Sequence, residues 1–202
     1  TLFFERGNPD KARENLGRIT ELARRMGRII HNLRAFARQE SGPVSDVELG
    51  TIVEDALETT AAKLDSHGVT VDWTPPAGPV LVRGGVVRLQ QVVVNLISNA
   101  VDAMAGEDGD APRRVSIAIN PTGTGRVTLT VRDTGPGLDE PERVFDPFYT
   151  TKAVGRAEGM GLGLSISYGL VQSFGGTLRG ANHPNGGAVF TVELASAVEA
   201  AA

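Results

Sequence analysis

The chain has 202 residues, 41% hydrophobic and 22% charged, which suits a globular protein of one domain, or one domain with a small appendage. A net charge of −4 and an isoelectric point near 5.4 speak against a nucleic-acid-binding surface, and the lack of cysteine excludes a disulfide framework or a thiolate metal site. No apolar run approaches the ~18–20 residues that span a bilayer, and no signal peptide opens the sequence.

The chain begins without Met on TLFFERG and ends in EAAA, so a longer parent protein is expected. Residues 1–6 read as the last turn of a helix. GNPD then puts Gly7 at a helix end, Asn8 at an N-cap and Pro9 at a first helical position. From there to about Gln39 the pattern is helical. Ile19, Leu22, Met26, Ile29, Leu33 and Phe36 recur at alternating spacings of three and four, a heptad seam flanked by Arg and Glu. The seam predicts packing against other helices; the alternative is one amphipathic helix lying on its own domain. SGPVS (41–45) breaks this helix and marks a boundary between a region 1–40 and a domain 41–202.

The domain reads as a helix over about 47–66, a strand over 69–73, the turn PPAGP, a short strand at 80–82 and a helix over about 86–105. RRVSIAIN and RVTLTVRD alternate in polarity across PTGTG and predict an antiparallel hairpin. A long loop follows over about 134–160, then a helix over 162–174 and two strands, about 177–182 and 187–194, joined by HPNGG. Helices intermixed with antiparallel strands predict an α/β sandwich with helices over one sheet face. Of the 25 glycines, most fall after position 122, where turns or a ligand-hugging loop are expected.

Four stretches carry chemistry. On the helix that carries VVVNLISNAVDAM (92–104), Gln91, Asn95, Asn99 and Asp102 fall on a stripe about 80° wide, opposite Leu89, Val93, Leu96, Ala100 and Met104. A carboxamide oxygen suits Mg²⁺ when phosphates and water supply the remaining ligands; a solvated polar face is the plain alternative. In VRDTGPGL (131–138), Asp133 ends a strand, where a carboxylate can accept from an exocyclic amine, and Gly135 and Gly137 let backbone approach a flat ring. As a lone motif it is equally a turn. FDPFYTTK (145–152), with two phenylalanines and a tyrosine, looks like the anchor of a lid that offers Lys152 or Arg156 to phosphate. In EGMGLGLSIS (158–167), Gly159, Gly161 and Gly163 open a helix whose positive end suits phosphate. The spacing fits neither a Rossmann fingerprint nor a P-loop.

In this order, the Asn-x-x-x-Asn helix, Asp-x-Gly-x-Gly, Phe-Asp-Pro-Phe and Gly-x-Gly-x-Gly-Leu closely resemble the N, G1, F and G2 boxes of the catalytic domain of two-component sensor histidine kinases. NGGAVFTVEL (185–194) is similar to its closing G3 strand. Residues 9–39 resemble the second helix of the dimerisation and phosphotransfer hairpin. ARENLGRITELARRMGRIIHNLRAFAR with FDPFYTTK is most similar to the C4-dicarboxylate- and nitrogen-sensor branch.

The resemblance implies a Bergerat-type α/β sandwich, its mixed and mostly antiparallel sheet covered by helices, preceded by a long coiled-coil-like helix. It also implies an ATP site. Asn99 would coordinate Mg²⁺, and Asn95 would help order the metal's water or the phosphates, with Asp102 on the same stripe. Asp133 would accept from the adenine amino group, and Gly135 and Gly137 would shape the base pocket. Gly159, Gly161, Gly163 and Leu164 would wrap the triphosphate, Lys152 would reach the γ-phosphate, and Thr191 would contribute near the adenine. Gyrase, mismatch-repair and heat-shock chaperone ATPases carry a glutamate base where Asn95 stands. Asparagine cannot take that proton, so poor hydrolysis is expected.

The family's phosphoacceptor is a His followed by an acid and, a few residues on, a proline. His31 is followed by Asn32 with no proline, and with Ile19 at a it falls at f, off the seam. His67 and His183 read as structural surface residues. The acceptor is therefore expected upstream, with residues 1–6 the stump of its helix. The implied partners are ATP, a response regulator receiver domain and a second copy bound through residues 16–36. The implied location is cytoplasmic, beneath a membrane-anchored parent. The alternatives are a serine kinase of the same superfamily, against which the heptad helix and FDPFYTTK count, and a degenerate nucleotide-binding module, against which the intact glycines and Asn99 count.

Overall fold

The computed structural model describes residues 11, 13–17, 19–20, 44–105, 112–123, 125–150 and 161–197. The described residues fall into two units, one holding those up to Thr20 and the other those from Val44 on. In the first, the described residues are helical, and Leu16 and Ile19 are exposed. The heptad seam beyond Ile19, His31 and most of the surface expected to self-associate lie outside the described residues, as do Lys152 and Gly159.

The second unit runs β1 (Ser45–Glu48), α1 (Leu49–Ser66), β2 (Thr70–Trp73), β3 (Leu81–Gly84), α2 (Val86–Met104), β4 (Arg114–Pro121), β5 (Arg126–Asp133), α3 (Gly163–Ser173), β6 (Thr177–Asn182) and β7 (Ala188–Ala195). Five strands form one sheet in the order β2-β4-β5-β7-β6, with β2–β4 parallel and the other pairs antiparallel. β1 and β3 form a separate antiparallel ribbon, fastened by the Ala197 amide donating to the Leu81 carbonyl at 2.8 Å. This is the Bergerat-type fold. No helix among the described residues is long and apolar enough to cross a membrane.

β1 forms where the sequence pattern predicts a break at 41–45 and a helix from about 47. SDVE has poor strand propensity, and the ribbon forms through pairing with β3 and through Glu48. The Glu48 carboxylate caps α1, accepting from the amides of Gly50 (3.0 Å) and Thr51 (2.5 Å) and from Thr51 Oγ1 (2.7 Å). Partial burial pushes its pKa up, and the bonds from Thr51, Gly50 and Val80 outweigh this and lower it.

The sheet alternates by residue. In β5, Val127, Leu129, Val131 and Asp133 are buried, and in β7 so are Ala188, Phe190, Val192 and Leu194. α2 buries Leu89, Val92, Val93, Leu96, Ile97, Ala100, Val101 and Met104, and packs against α1, α3 and β5. Each of the fully buried aliphatics contributes roughly 1.5–3 kcal/mol. The Asn-bearing stripe is left on the other side of α2, where the first turns of α3 meet it.

Candidate functional site

Three segments converge along α2. At its middle, Asn95 Nδ2 donates to the Gly163 carbonyl (3.4 Å) and to Ser167 Oγ (3.3 Å) at the start of α3. A Cβ on Gly163 would stand 4.0 Å from the amide nitrogens of both Asn95 and Asn99. The sequence pairing of Asn helix and glycine cluster is therefore a spatial one. α3 begins at Gly163 with no side-chain cap and no acid in its first turn, where Leu164 is half-buried. Its leading amides and positive end are available to an anion.

At the C-terminal end of α2 lies the loop after β5. A Cβ on Gly135 would lie 3.3 Å from Met104 Cγ and 3.5 Å from Ala103 Cβ, so this loop rests on the helix. Asp133 is 2% exposed, and its Oδ1 accepts from the amides of Gly135 (2.9 Å) and Ala188 (3.1 Å). Burial pushes its carboxyl pKa up, partly offset by the Ala188 and Gly135 amides. Both of these bonds fall on one oxygen. Gly137 has φ +90° and Gly187 φ +80°; a Cβ on Gly187 would run into the Asp133 carbonyl oxygen. With ~1.5 Å rise per residue, Asn95 and Ala103 are roughly 12 Å apart along α2. That span suits an extended ligand with an anionic end and an amine-bearing end.

Gly161 belongs to the same region for a steric reason. Its φ is +63°, its carbonyl accepts from the Phe148 amide at 2.9 Å, and a Cβ there would collide with the Tyr149 carbonyl. Of the aromatics expected to anchor the segment, Phe145 does so, with its ring 5.3 Å from Tyr168 and 6.4 Å from Phe190. Phe148 does not: it is 66% exposed, with φ +67°. Arg143 stacks over Tyr149 at 5.0 Å.

Two expected site residues stand elsewhere. Thr191 pairs with Thr130 and Arg179 on the sheet face opposite Phe190, Val192 and Asp133, because successive strand side chains alternate. It does not join the cluster. Asp102, at the stripe's edge toward α1, forms an ion pair with Lys63 at 2.5 Å, and Lys63 also donates to the Ser98 carbonyl at 3.3 Å. That pair ties α1 to α2. Two residues were not anticipated: Ser167, fully buried under Asn95, and Asn182, bonded to Leu138 on both sides of its amide. The signal for Ser167 was its place one turn after Gly163; Asn182 lay hidden at the end of a strand, just before the HPNGG turn. His67 bonds locally, its Nδ1 2.9 Å from the Lys63 carbonyl, and His183 accepts at Nδ1 from the Asn185 amide.

Residues 84–197 match the family described as histidine kinase-, DNA gyrase B- and HSP90-like ATPases. Among curated proteins, the chain is 38% identical over 195 residues to the C4-dicarboxylate transport sensor protein DctB of Pseudomonas aeruginosa, covering 96% of this chain and 31% of that protein. The DctB of Rhizobium meliloti is 35% identical over 198 residues, covering 96% and 30%. The chain thus spans about a third of the length of these relatives. Among solved structures, the catalytic domain of histidine kinase ThkA superposes with a TM-score of 0.62 at 24% identity, covering 76% of this chain and 98% of that one. Full-length ShkA in complex with AMPPNP gives 0.69 at 24% identity, covering 94% and 40%.

Proposed function

Because the chain belongs to the histidine kinase-, DNA gyrase B- and HSP90-like ATPase family, we propose that it is the ATP-binding catalytic module of a sensor histidine kinase. In this reading it transfers the γ-phosphoryl of ATP to a histidine on a separate helix, for onward transfer to a response regulator receiver domain. The observation that carries it is the convergence on α2 of Asn95 and Asn99 with Gly163 at one end and of the Asp133 loop at the other. Asp133 accepts from the adenine amino group, with Gly135 and Gly137 lying flat against the ring. Gly161, Gly163 and Leu164 offer backbone to the phosphates at the open end of α3; Gly159 and Lys152 are assigned to the same loop by motif alone.

The donor set suits Mg²⁺. Mg²⁺ keeps several waters and takes few protein ligands beside substrate phosphates, and a carboxamide oxygen on α2 can supply one of them. Asn99 is assigned as that ligand. A Mg²⁺ ion held by Asn99 would supply charge neutralisation to the triphosphate. Asn95 orients rather than accepts protons, since a carboxamide has no basic lone pair to offer. Water is therefore a poor acceptor, and the phosphoryl group is kept for an imidazole nitrogen: the bond from γ-phosphorus to the β–γ bridging oxygen breaks, an N–P bond forms, and ADP leaves.

Residues 1–40 are assigned as part of the dimerisation and phosphotransfer hairpin, with self-association through 16–36. The parent is proposed to be a membrane-anchored sensor of the C4-dicarboxylate type carrying this module in the cytoplasm. The test is incubation with γ-labelled ATP and a separately supplied acceptor hairpin. Acid-labile label on the hairpin's histidine is expected, and it should disappear in Asn99→Ala. Label on serine would favour the serine-kinase alternative; nucleotide binding without any transfer would leave a binding module.

A further inference from the structure

β6 ends on Asn182, which is exposed and contributes nothing to the apolar core. Its side chain nevertheless makes two bonds to one residue 44 positions away. The Leu138 amide donates to Asn182 Oδ1 at 2.6 Å, and Asn182 Nδ2 donates to the Leu138 carbonyl at 2.9 Å. A carboxamide here replaces the peptide group of a neighbouring strand, engaging the N–H and C=O of Leu138 together. The fit is close: at Gly137, directly before Leu138, a Cβ would stand 2.7 Å from Asn182 Oδ1, and one on Gly180 would lie 3.3 Å from Leu138 Cδ1.

The same loop is held at its other end by Asp133, through the Gly135 and Ala188 amides. Only Thr134, Gly135, Pro136 and Gly137 lie between the two ties. The hairpin turn that follows Asn182 is itself closed by the His183 amide donating to the Gly187 carbonyl and the Gly186 amide donating to the His183 carbonyl, and Gly187 backs directly onto the Asp133 carbonyl. One short hairpin thus carries both fastenings of the loop.

From this geometry we infer that Asn182 is a positioning residue for recognition of the nucleotide base: it fixes the height of the 134–138 loop over the base, although it does not itself touch the ligand. The inference rests on the reading of that loop as the wall of the base pocket. No other natural side chain of this length reproduces the pairing. Serine and alanine lose one or both bonds. An ionised aspartate keeps the acceptor but sets a carboxylate oxygen against the Leu138 carbonyl; once protonated, it regains the donor.

The test is calorimetric titration of the full chain with non-hydrolysable ATP and GTP analogues, for the native protein, Asn182→Ala and Asn182→Asp. Loss of two hydrogen bonds of ordinary strength predicts affinity for the ATP analogue about tenfold weaker in Asn182→Ala, with weaker preference for adenine over guanine. Asn182→Asp should be similarly impaired at neutral pH, and its deficit relative to the native protein should narrow on acidification as the new carboxyl protonates. A lesion that merely loosened the surface would not be rescued by acid. Asn182→Asp is isosteric and carries the test should Asn182→Ala fail to fold. If the native chain binds the ATP analogue and both variants bind it equally well with undiminished base preference, the inference is overturned. If the native chain binds neither analogue, the base-pocket reading fails first, the native titration alone reveals it, and the inference falls with it.

Discussion

The Ala188 amide donates to Asp133 Oδ1 at 3.1 Å, one step beyond the last backbone pair of β5 and β7, Arg132 with Val189. A side chain thus takes over the ladder where the strands part, and the same carboxylate oxygen also holds the Gly135 amide. Asp133 is both a structural tie and the assigned adenine acceptor, and the two roles separate by mutation. The carboxamide introduced by Asp133→Asn would keep an Oδ1 acceptor for both amides but present an amide donor to the adenine amine. Asp133→Asn should therefore fold with unchanged or higher thermal stability and lose at least ~30-fold in nucleotide affinity. Asp133→Ala leaves the buried Ala188 amide and the part-buried Gly135 amide without their acceptor and should cost about 1–3 kcal/mol in chemical denaturation.

The pH dependence of binding follows from the same residue. Burial raises the Asp133 pKa in the folded state above its unfolded value, so the folded protein binds that proton more tightly. Its contribution to stability grows as pH falls through the interval between the ordinary aspartate value and the raised one, and is lost as pH rises through it. Adenine recognition runs the other way, since the acceptor must be ionised. Affinity for an ATP analogue should fall across that interval in the native protein, and the fall should be absent from the residual binding of Asp133→Asn.

Ser167 of α3 lies buried beneath Asn95 of α2, its Oγ accepting from Asn95 Nδ2 at 3.3 Å. Ser167→Ala removes one acceptor and leaves Asn95 Nδ2 with the weaker bond to the Gly163 carbonyl. A cost of about 0.5–1.5 kcal/mol in stability is expected. Phosphoryl transfer should drop more than nucleotide affinity, because Asn95 loses its fixed orientation.

Gly186 and Gly187 have nearly the same φ, +84° and +80°, yet differ in surroundings: a Cβ on Gly186 meets nothing within 4 Å, whereas one on Gly187 meets the Asp133 carbonyl. Gly186→Ala should cost only the left-handed penalty of roughly 1–2 kcal/mol. Gly187→Ala adds displacement of β5's end, and thermal denaturation should fall several degrees further, with loss of nucleotide binding.

The parts legible in the sequence were those written in periodicity and in motif order. The apolar stripe of α2 is buried where a helical period puts it, and Asp133 stands at a strand end beside two glycines. β1 could not be read because SDVE gains its structure from a partner far along the chain, with Ser45 opposite Gly84 at one end of the ribbon and Glu48 opposite Leu81 at the other. Thr191 was misplaced because a motif names a position but not a face; its register with Thr130 turns it away from Asp133. Asn182 was invisible since an asparagine before a His-Pro-Asn-Gly-Gly turn has a local explanation that needs no partner. Phe148 read as an anchor by its chemistry alone, whereas its backbone bond to Gly161 turns the ring outward.

The two asparagines of α2 are assigned to face a metal-bound triphosphate, and everything proposed for the site depends on that assignment. Calorimetric titration of a non-hydrolysable ATP analogue, with and without Mg²⁺, against the native chain and Asn99→Ala tests it most directly. Micromolar binding is expected for the native chain, strengthened by Mg²⁺, with most of the Mg²⁺-dependent part lost in Asn99→Ala. Binding that ignores both the metal and the substitution would contradict the account.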